Sequence, residues 1–517
     1  MKGKVRPNKL HTAARVKMLE HEINAAWSER DLEKSLDLLR VVLKLNPRSI
    51  STRLLIGRVH GVRYEYDQAL DWFDEAVELA PRHDRAATLI RAGMMARYFF
   101  DPTVAETLFE DAIAESATAP AKLALAEHLI RIRKTEQARD LVDDILASPH
   151  RSPEAAFLWC RLNEDRFAEC ETRLRSLMSY ATDELKAKAG YQLAKILDQA
   201  GDYDGAMSAL FAAKDVLMPA RDLIVQNRAN VHARQNDIAE GLSAAKHRQW
   251  LEQSAELGDP VRLALLGGHP RSGTTLLEQI LDSHPDIVSA EESENFDIFA
   301  FSPLVRMLPP SSPLLDVMDS RTPGDLVTSR RSYLDAMDRC IGEPVGDRLL
   351  VDKNPSLTSL VPAFSRIFPE TKFIAMIRDP RDVVISCYMQ SFVPVSSVNG
   401  NYLTLKDTAH EYRKVMGVWM EAAGKLEIEK LEIRYEDMVE DLEAHARKAL
   451  GFLGVDWSES VMEYDRHARE KVVRSPTAVA VTEKVHRRAK ARWKNYEKHL
   501  EPVIETLAPC LKALGYD

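Results

Sequence analysis

Residues 263–280 read Leu-Ala-Leu-Leu-Gly-Gly-His-Pro-Arg-Ser-Gly-Thr-Thr-Leu-Leu-Glu-Gln-Ile. The apolar run Leu263–Leu266 ends at a glycine pair, a short polar loop follows, and a segment with helical apolar spacing begins at Thr274. This order predicts a strand, a loop and a helix, with backbone N–H groups and the positive helix end facing the loop. Such a loop suits a phosphate or sulfate group.

The loop has the glycine spacing of a Walker A motif but lacks its lysine. Gly268 and Gly273 bracket the pattern G-x-x-x-x-G-T-T, and Thr274 occupies the position of the lysine. Arg271 inside the loop offers a planar, fork-shaped cation to an oxyanion. We therefore expect an anion-binding loop that is a poor ATPase.

Composition narrows the class of protein. The 517-residue chain is 45% hydrophobic with a formal net charge of −9, which favours a soluble globular protein over a dedicated nucleic-acid binder. Its five cysteines are scattered along the sequence without the spacing of metal ligands, and we predict that they are reduced and mostly buried in the core. The first 20 residues contain no apolar signal region, and no apolar run is long enough to span a membrane. We expect a cytoplasmic protein with no nucleic-acid or membrane partner.

From about residue 12 to 247 the sequence is helical and repetitive. Small residues recur in pairs twelve positions apart, and Pro47 and Pro81, 34 residues apart, each end a predicted helix. The pairs are Gly57 and Ala69, Gly93 and Ala105, Ala126 and Ala138, Ala156 and Ala168, and Ala194 and Ala206. The pattern resembles the tetratricopeptide repeat, whose period is about 34 residues. We predict an α-solenoid of five such units, a degenerate first one and a capping segment at about 220–247, with a groove that holds a peptide or protein.

After Gly258-Asp259-Pro260, strands and helices alternate. The predicted strands are Leu263–Leu266, Leu349–Val351, Phe373–Ile377 and Leu431–Ile433. This alternation predicts an α/β domain with a mainly parallel sheet. We expect a helical repeat domain over 1–250, a linker over 251–262 and the P-loop-like α/β domain over 263–517.

Polar residues follow the predicted strands, where parallel sheets bind their ligands. They are Arg271 to Thr275 after the first strand, Lys353 after the second, Arg378 and Ser386 after the third, and Tyr435 after the fourth; Glu291 and Glu292 follow the first helix. Cations and hydroxyls that converge on one sheet edge predict an anionic ligand with more than one phosphate.

With these motifs, residues 263–500 resemble a sulfotransferase that uses 3′-phosphoadenosine 5′-phosphosulfate (PAPS), and most closely the tyrosylprotein sulfotransferases. Pro270 to Thr275, Leu281 to Pro285 and Glu291-Glu292 carry the resemblance. With the upstream repeats, the chain resembles a bacterial two-domain group. The resemblance implies sulfuryl transfer from PAPS, without a metal, to an acceptor hydroxyl of tyrosine type on a peptide or protein that the repeat domain helps to dock, with 3′-phosphoadenosine 5′-phosphate (PAP) as product.

The resemblance also implies roles for single residues. Glu292 is the general base, with its neighbour Glu291 as the alternative, and Lys353 steadies the bridging and leaving oxygens. The residues implied to hold the donor are Arg271, Ser272, Gly273, Thr274, Thr275, Arg378, Ser386 and Tyr435. Among these, Arg271 also belongs to the catalytic set, and Arg378 and Ser386 hold the 3′-phosphate.

Near the C-terminus the sequence departs from the family pattern. The family carries a serine sixteen residues before a tryptophan; here Trp493 places Thr477 at that position. The Gln, basic and Pro positions that follow the serine become Ala480, Thr482 or Glu483, and Lys484. We expect Thr477 to act in catalysis and Lys484 to contact the donor from a closing loop.

Two other functions stay open at this stage. A P-loop kinase-like phosphotransferase would need the missing loop lysine and a magnesium carboxylate, so it predicts Mg²⁺-dependent consumption of ATP. A non-catalytic repeat scaffold with a vestigial second domain finds support only in the altered loop at Ala480–Lys484. The acceptor also stays open between a protein hydroxyl, a saccharide and a small molecule.

Overall fold

The computed structural model describes residues 7–99, 101–149, 152–220, 237–238, 240–306, 312–391, 399–470 and 489–516. The chain forms two compact units, Met1–Arg166 and Phe167–Asp517. Thr477, Lys484 and most of the predicted capping segment lie outside the described residues.

The first unit consists of helices throughout its described ranges, and consecutive helices pack in pairs. These helices are α1 (Pro7–Ser28), α2 (Leu32–Leu45), α3 (Ile50–Val62), α4 (Tyr66–Leu79), α5 (Arg85–Ala96), α6 (Pro102–Glu115), α7 (Ala119–Arg131), α8 (Thr135–Ala147) and α9 (Pro153–Leu162). Pro47 and Pro81 lie two residues beyond the ends of α2 and α4, as predicted. Proline has no N–H to continue a helix, so it favours such positions.

Small residues allow the paired helices to cross closely. A Cβ atom on Gly57 of α3 would lie 2.6 Å from the ring of Phe73 and 3.0 Å from the carbonyl oxygen of Ala69, both on α4. A Cβ atom on Gly93 of α5 would lie 2.7 Å from the buried ring of Phe109 on α6. The prediction of a helical N-terminal region is confirmed, and small residues lie at the crossings of α3 with α4 and of α5 with α6.

The second unit begins with helices that the sequence assigned to the repeat domain. They are α10 (Phe167–Tyr180), α11 (Asp183–Gln199) and α12 (Tyr203–Asp215), followed by α13 (Ala244–Glu252). The buried ammonium of Lys214 on α12 donates to the carbonyl of Tyr402 at 2.5 Å and lies 4.1 Å from the ring centroid of Tyr388. Such contacts group α10–α12 with the sheet, so the compact units divide at Arg166, and the domain limits of 1–250 and 263–517 stay predictions.

A parallel sheet forms the centre of the second unit. Its five strands in the described residues are β1 (Leu263–Gly268), β2 (Ile287–Glu291), β3 (Leu349–Lys353), β4 (Lys372–Ile377) and β5 (Lys430–Arg434), in the order β2-β3-β1-β4-β5. In the register, Leu266 of β1 pairs with Lys353 of β3, and Gly268 pairs with Met376 of β4. The predicted parallel sheet and its four predicted strands are confirmed, whereas β2 was not predicted.

Helices pack on both faces of this sheet and against one another. They are α14 (Thr274–Asp282), α15 (Ser302–Val305), α16 (Leu314–Asp319), α17 (Pro323–Ile341), α18 (Val361–Ile367), α19 (Pro380–Tyr388), α20 (Leu405–Lys425), α21 (Tyr435–Met438), α22 (Leu442–Leu453), α23 (Tyr464–Glu470) and α24 (Glu497–Leu514). None of the helices in the described ranges is long and apolar enough to cross a lipid bilayer.

The alternation of side chains along β3 decides which residues meet which helix. Val351 packs in an apolar core with Leu277 of α14. Asp352, the next residue, faces the other side and accepts a hydrogen bond from Tyr333 of α17 at 2.9 Å. Lys353 then returns to the α14 side, because successive side chains of a strand point to opposite faces.

Candidate functional site

The loop after β1 is held in a shape that glycine and buried contacts impose. Gly268 has a φ of 122°, and a Cβ atom there would lie 2.4 Å from the carbonyl oxygen of Met376. The Gly268 N–H donates to the hydroxyl of Thr358 at 2.8 Å, and this hydroxyl lies 2.8 Å from the Gly268 carbonyl. The end of β1 is therefore fixed by two neighbouring elements.

The same loop leads directly into α14. Gly273 caps the helix with a φ of 98°, and a Cβ atom there would lie 2.5 Å from the ring of Tyr435. Arg271 adopts a φ of 73°, which non-glycine residues seldom do. Ser272, Thr274 and Thr275 are buried around it. Strained backbone of this kind persists where the surrounding structure fixes it, often at functional sites.

Two arginines lie side by side at this loop. The Nε of Arg271 donates to the hydroxyl of Ser386 at 3.2 Å, and the Nη1 of Arg378 donates to the Arg271 carbonyl at 2.9 Å. The guanidinium of Arg378 lies 4.7 Å from the ring centroid of Tyr435. Burial lowers the pKa of Arg271, and the charge of Arg378 lowers it further. A bound anion would relieve this repulsion between like charges.

A second group of charges lies at the ends of β2 and β3. We call Glu278, Glu291, Glu292 and Lys353 the carboxylate–lysine cluster. The Nζ atom of Lys353 lies 2.9 Å from Glu292, 3.2 Å from Glu278 and 3.9 Å from Glu291. Lys353 and Glu278 are fully buried, whereas the side chain of Glu292 is 40% exposed. Of the three carboxylates in the cluster, Glu292 is therefore the best placed to reach a ligand from solvent.

The backbone supports the contact between Glu292 and Lys353. Glu292 has a φ of 41°, and its N–H donates to the Lys353 carbonyl at 2.8 Å, one step beyond the pairing of Glu291 with Lys353 in the sheet. Burial acts to lower the pKa of Lys353, but the charges of Glu278, Glu292 and Glu291 outweigh it and raise the pKa. Lys353 is therefore a charged ammonium at neutral pH.

A C-terminal segment closes over the arginines. We call residues 489–499 the strap. Arg378 donates to the carbonyl of Ala489 at 2.6 Å, and buried Asp382 on α19 accepts from the N–H groups of Ala491 at 2.9 Å and Trp493 at 2.7 Å. Burial raises the pKa of Asp382 to about 6, and Arg378 opposes this rise. The helix that carries Ser386 thus also fixes the strap.

The predicted site residues fall into two adjacent sets. Arg271, Ser272, Gly273, Thr274, Thr275, Arg378, Ser386 and Tyr435 surround the loop, and Glu291, Glu292 and Lys353 meet at the ends of β2 and β3. Ser386, predicted to act beside Arg378, is hydrogen-bonded to Arg271. Thr477 and Lys484 lie outside the described residues. In the described ranges, no group of three or more His, Cys, Asp or Glu side chains is arranged to hold a metal ion.

Sequence reasoning missed two acidic residues of this region, Glu278 and Asp382. Glu278 resembles an ordinary solvent-facing glutamate in an amphipathic helix, and only the burial of α14 on nearly every side reveals its role. Asp382 follows the Arg378-Asp379-Pro380-Arg381 motif directly, so an acidic residue within one helical turn of Arg378 was the available signal.

Comparison with known proteins agrees with the chemistry of this site. Residues 264–459 match the sequence model of the Sulfotransferase family. Protein-tyrosine sulfotransferase 1 of Danio rerio is 28% identical over 268 residues, which cover 49% of this chain and 72% of that protein. The human protein-tyrosine sulfotransferase 1 is 29% identical over 272 residues, covering 49% and 70%.

A relative that extends further along the chain is an uncharacterized protein of Aquifex aeolicus (strain VF5). It is 25% identical over 430 residues, which cover 76% of this chain, and the chain spans about half (51%) of that protein's length. Among solved structures, the sulfotransferase domain of the Synechococcus PCC 7002 olefin synthase overlays with a TM-score of 0.33 at 21% identity, covering 46% of this chain and 88% of that domain.

Proposed function

We propose that this protein transfers the sulfuryl group of PAPS to a hydroxyl group of an acceptor. The observation that carries the proposal is the 2.9 Å contact between Lys353 and the solvent-facing Glu292, next to a loop that presents Arg271 and Arg378. An acid–base pair beside an anion-binding loop suits transfer of an anionic group to a hydroxyl. The match of residues 264–459 to the Sulfotransferase family supports this assignment.

The residues of the loop fit a donor with two separate anionic groups. Arg271 and Arg378 repel each other, and the Nε of Arg378 is buried without a hydrogen-bond partner among the described residues. The N–H groups at the start of α14, with Ser272, Thr274 and Thr275, would hold the 5′-phosphosulfate. Arg378 and Ser386 would hold the 3′-phosphate, with Tyr435 stacked behind the guanidinium. PAPS supplies an activated sulfuryl group on a phosphate leaving group.

Glu292 would act as the general base. Its exposed carboxylate accepts the proton of the acceptor hydroxyl as the new O–S bond forms, and the bond from sulfur to the phosphate oxygen breaks with its electron pair on that oxygen. A well-placed base of this kind contributes roughly 10²–10⁴-fold to the rate. Glu291 is less suited, because its side chain is only 7% exposed and lies 3.9 Å from Lys353.

Lys353 would stabilise the charge that develops on the leaving oxygen. Its ammonium is held beside Glu292 at the end of β3, and in the proposed complex it would lie between this base and the leaving oxygen of the donor. A fixed cation in a site that excludes water stabilises such charge more strongly than water does.

We propose a peptide or protein hydroxyl as the acceptor and a docking role for the helices of the predicted repeat region. Two named relatives are protein-tyrosine sulfotransferases, which supports an acceptor of tyrosine type. Paired helices with closely crossing small residues, as in α3–α4 and α5–α6, are the building unit of tetratricopeptide arrays, which often bind peptides.

Matched isosteric variants test the assignment of the base. In an assay with radiolabelled PAPS and tyrosine-containing peptides, Glu292→Gln should lower kcat by roughly 10²–10⁴-fold. Glu291→Gln changes a neighbouring carboxylate and should lower kcat by less than about tenfold. Lys353→Met should lower kcat by at least about 10²-fold. Near-normal kcat in Glu292→Gln or Lys353→Met would refute the mechanism, and an equal loss in both glutamate variants would leave the base unassigned to Glu292.

A further inference from the structure

The carboxylate of Glu278 is enclosed in the protein on the inner side of Lys353. Its Oε1 atom accepts a hydrogen bond from the hydroxyl of Ser289 at 2.6 Å, and its Oε2 atom lies 3.2 Å from the Lys353 Nζ atom. Within the described residues Oε2 accepts no hydrogen bond, and Glu278 is fully buried. A buried carboxylate is costly unless a cation or a hydrogen bond balances it. Lys353 is the cation that does so here.

The reaction proposed above changes the charge on the outer side of Lys353. While Glu292 is ionised, it balances the ammonium at 2.9 Å. Once Glu292 has taken the acceptor proton it is neutral and no longer does so. Glu278 at 3.2 Å and Glu291 at 3.9 Å are then the carboxylates of the cluster that face the buried ammonium. A buried ammonium without a counter-charge tends to lose its proton.

We propose that Glu278 is a positioning residue, the inner counter-charge that keeps Lys353 charged and directed at the leaving oxygen while Glu292 carries the acceptor proton. The inference rests on the proposed function. Two carboxylates that contact the Lys353 ammonium then have different roles: Glu292 accepts the proton of the acceptor, and Glu278 keeps the ammonium charged and in place.

The charged groups around Glu278 support a role that it exerts through Lys353. On its own helix, Asp282 is held by the Ser289 N–H at 2.7 Å and by His467 of α23 at 2.7 Å. Glu291 of β2 and Lys353 of β3 face it from the sheet. Burial acts to raise the pKa of Glu278 and the charge of Lys353 acts to lower it, while Glu291 and Asp282 add to the rise, so the ionised carboxylate of Glu278 depends on this ammonium. Lys353 is the cation whose charge opposes the rise.

A pH profile of kcat separates this role from packing. Glu278→Gln keeps the size of the side chain and an acceptor for Ser289 but removes the charge. Without that charge burial lowers the pKa of Lys353 with less opposition, so the alkaline limb of kcat should move to lower pH by about one unit or more. Asp352→Asn is the matched control, because Asp352 is also a buried carboxyl on a neighbouring position but is bonded to Tyr333. It should leave the alkaline limb in place.

A second measurement follows the pair without using activity. The free energy of unfolding is measured for Glu278→Gln, Lys353→Met and the double variant. A coupled pair predicts that the double variant is destabilised by less than the sum of the single changes, because each single change leaves one buried charge unbalanced.

Each outcome bears on a distinct claim. Coupling in unfolding together with a shifted alkaline limb supports the proposal. Additive destabilisation overturns it, because the pair then does not interact, and coupling with an unmoved limb also overturns it, because the pair is then only structural. If the variants show coupling in unfolding but the wild-type protein neither binds PAP nor transfers the sulfuryl group, the proposed function is refuted. The positioning role assigned to Glu278 is then refuted with it.

Discussion

At the scale of single residues, two buried ionisable side chains on β3 define this site. Asp352 and Lys353 are consecutive and both fully buried, yet they face opposite sides of the sheet. Asp352 meets the hydroxyl of Tyr333 at 2.9 Å, and Lys353 meets Glu292 at 2.9 Å. The alternation of the strand therefore separates a structural carboxyl from a lysine placed for chemistry.

Asp352 should make the stability of the protein depend on pH. Burial raises the pKa of its carboxyl from 3.8 to about 7, so the native state holds this proton over a range in which the unfolded state has released it. The stabilisation is complete below pH 3.8 and is lost as pH rises through about 7. Asp352→Asn should remove this slope, which amounts to on the order of 4 kcal/mol in the free energy of unfolding.

Chemical denaturation at several pH values between about 4 and 8 measures this slope. The exposed Asp456→Asn serves as the control and should show the slope of the wild type. If Asp352→Asn and the wild type lose stability in parallel as pH rises, the buried carboxyl of Asp352 is not the source.

At the scale of elements, the sequence predicted the strands that have a strong local pattern of apolar residues. β1, β3 and β4 contain compact apolar runs, and in β5 the apolar Leu431 and Ile433 alternate with charged residues. Each of these strands is one or more residues longer than predicted. β2 reads Ile-Val-Ser-Ala-Glu, in which two small residues weaken the apolar signal, so it was missed. The strand order was not predictable, because it depends on contacts between distant segments.

The same limit applies to the candidate site. Loop residues such as Arg271 and Gly273 were predictable because their chemistry follows from a local strand–loop–helix pattern. Glu278 was not, because its importance arises from the burial of α14 against β3, and a glutamate in a helix is usually solvated. The contact between Ser386 and Arg271 likewise joins residues 115 positions apart.

The strap is the element that joins α11 and α12 to Arg378 and Asp382. Asp198, near the C-terminal end of α11, pairs with Arg492 at 2.7 Å and accepts a hydrogen bond from Tyr496. At the other end of the strap, Asp204 pairs with His499 at 2.9 Å. Arg378 and Asp382 bind the backbone of the same strap. By holding Arg492 and Tyr496, Asp198 therefore helps to fix the strap backbone that contacts Arg378.

We expect Asp198→Asn to weaken the binding of PAP by about tenfold, since it removes a charged hydrogen bond that holds Arg492. Asp204→Asn is the matched control, because it removes an acid from the exposed end of the same strap. Exposed ion pairs contribute little, so its Kd should stay within about threefold of the wild type. Equal Kd values for Asp198→Asn and the wild type in calorimetric titrations would show that the strap does not support the donor loop through Asp198.

At the scale of the whole molecule, the two compact units predict two unfolding transitions. Gly93→Ala should lower the temperature of one of them by several degrees, because its Cβ atom would lie 2.7 Å from the packed ring of Phe109 in the first unit. Gly417→Ala should raise the temperature of the second unit's transition, because nothing lies within 4 Å of a Cβ atom at this position. Alanine in place of glycine stabilises the interior of a helix such as α20 by about 0.5–1 kcal/mol.

Differential scanning calorimetry of the full chain distinguishes these effects. We expect each substitution to change the midpoint temperature of a different transition. A single transition that both substitutions move would contradict a molecule built from two cooperative units.

Calorimetric titration with PAP tests whether the loop and its arginines form a PAPS site. The protein is titrated with PAP and separately with ATP, both without magnesium. We expect tight binding of PAP and binding of ATP that is weaker by at least about tenfold, because ATP lacks the 3′-phosphate that Arg378 and Ser386 would hold. Absence of PAP binding, or equal affinity for the two nucleotides, would contradict it.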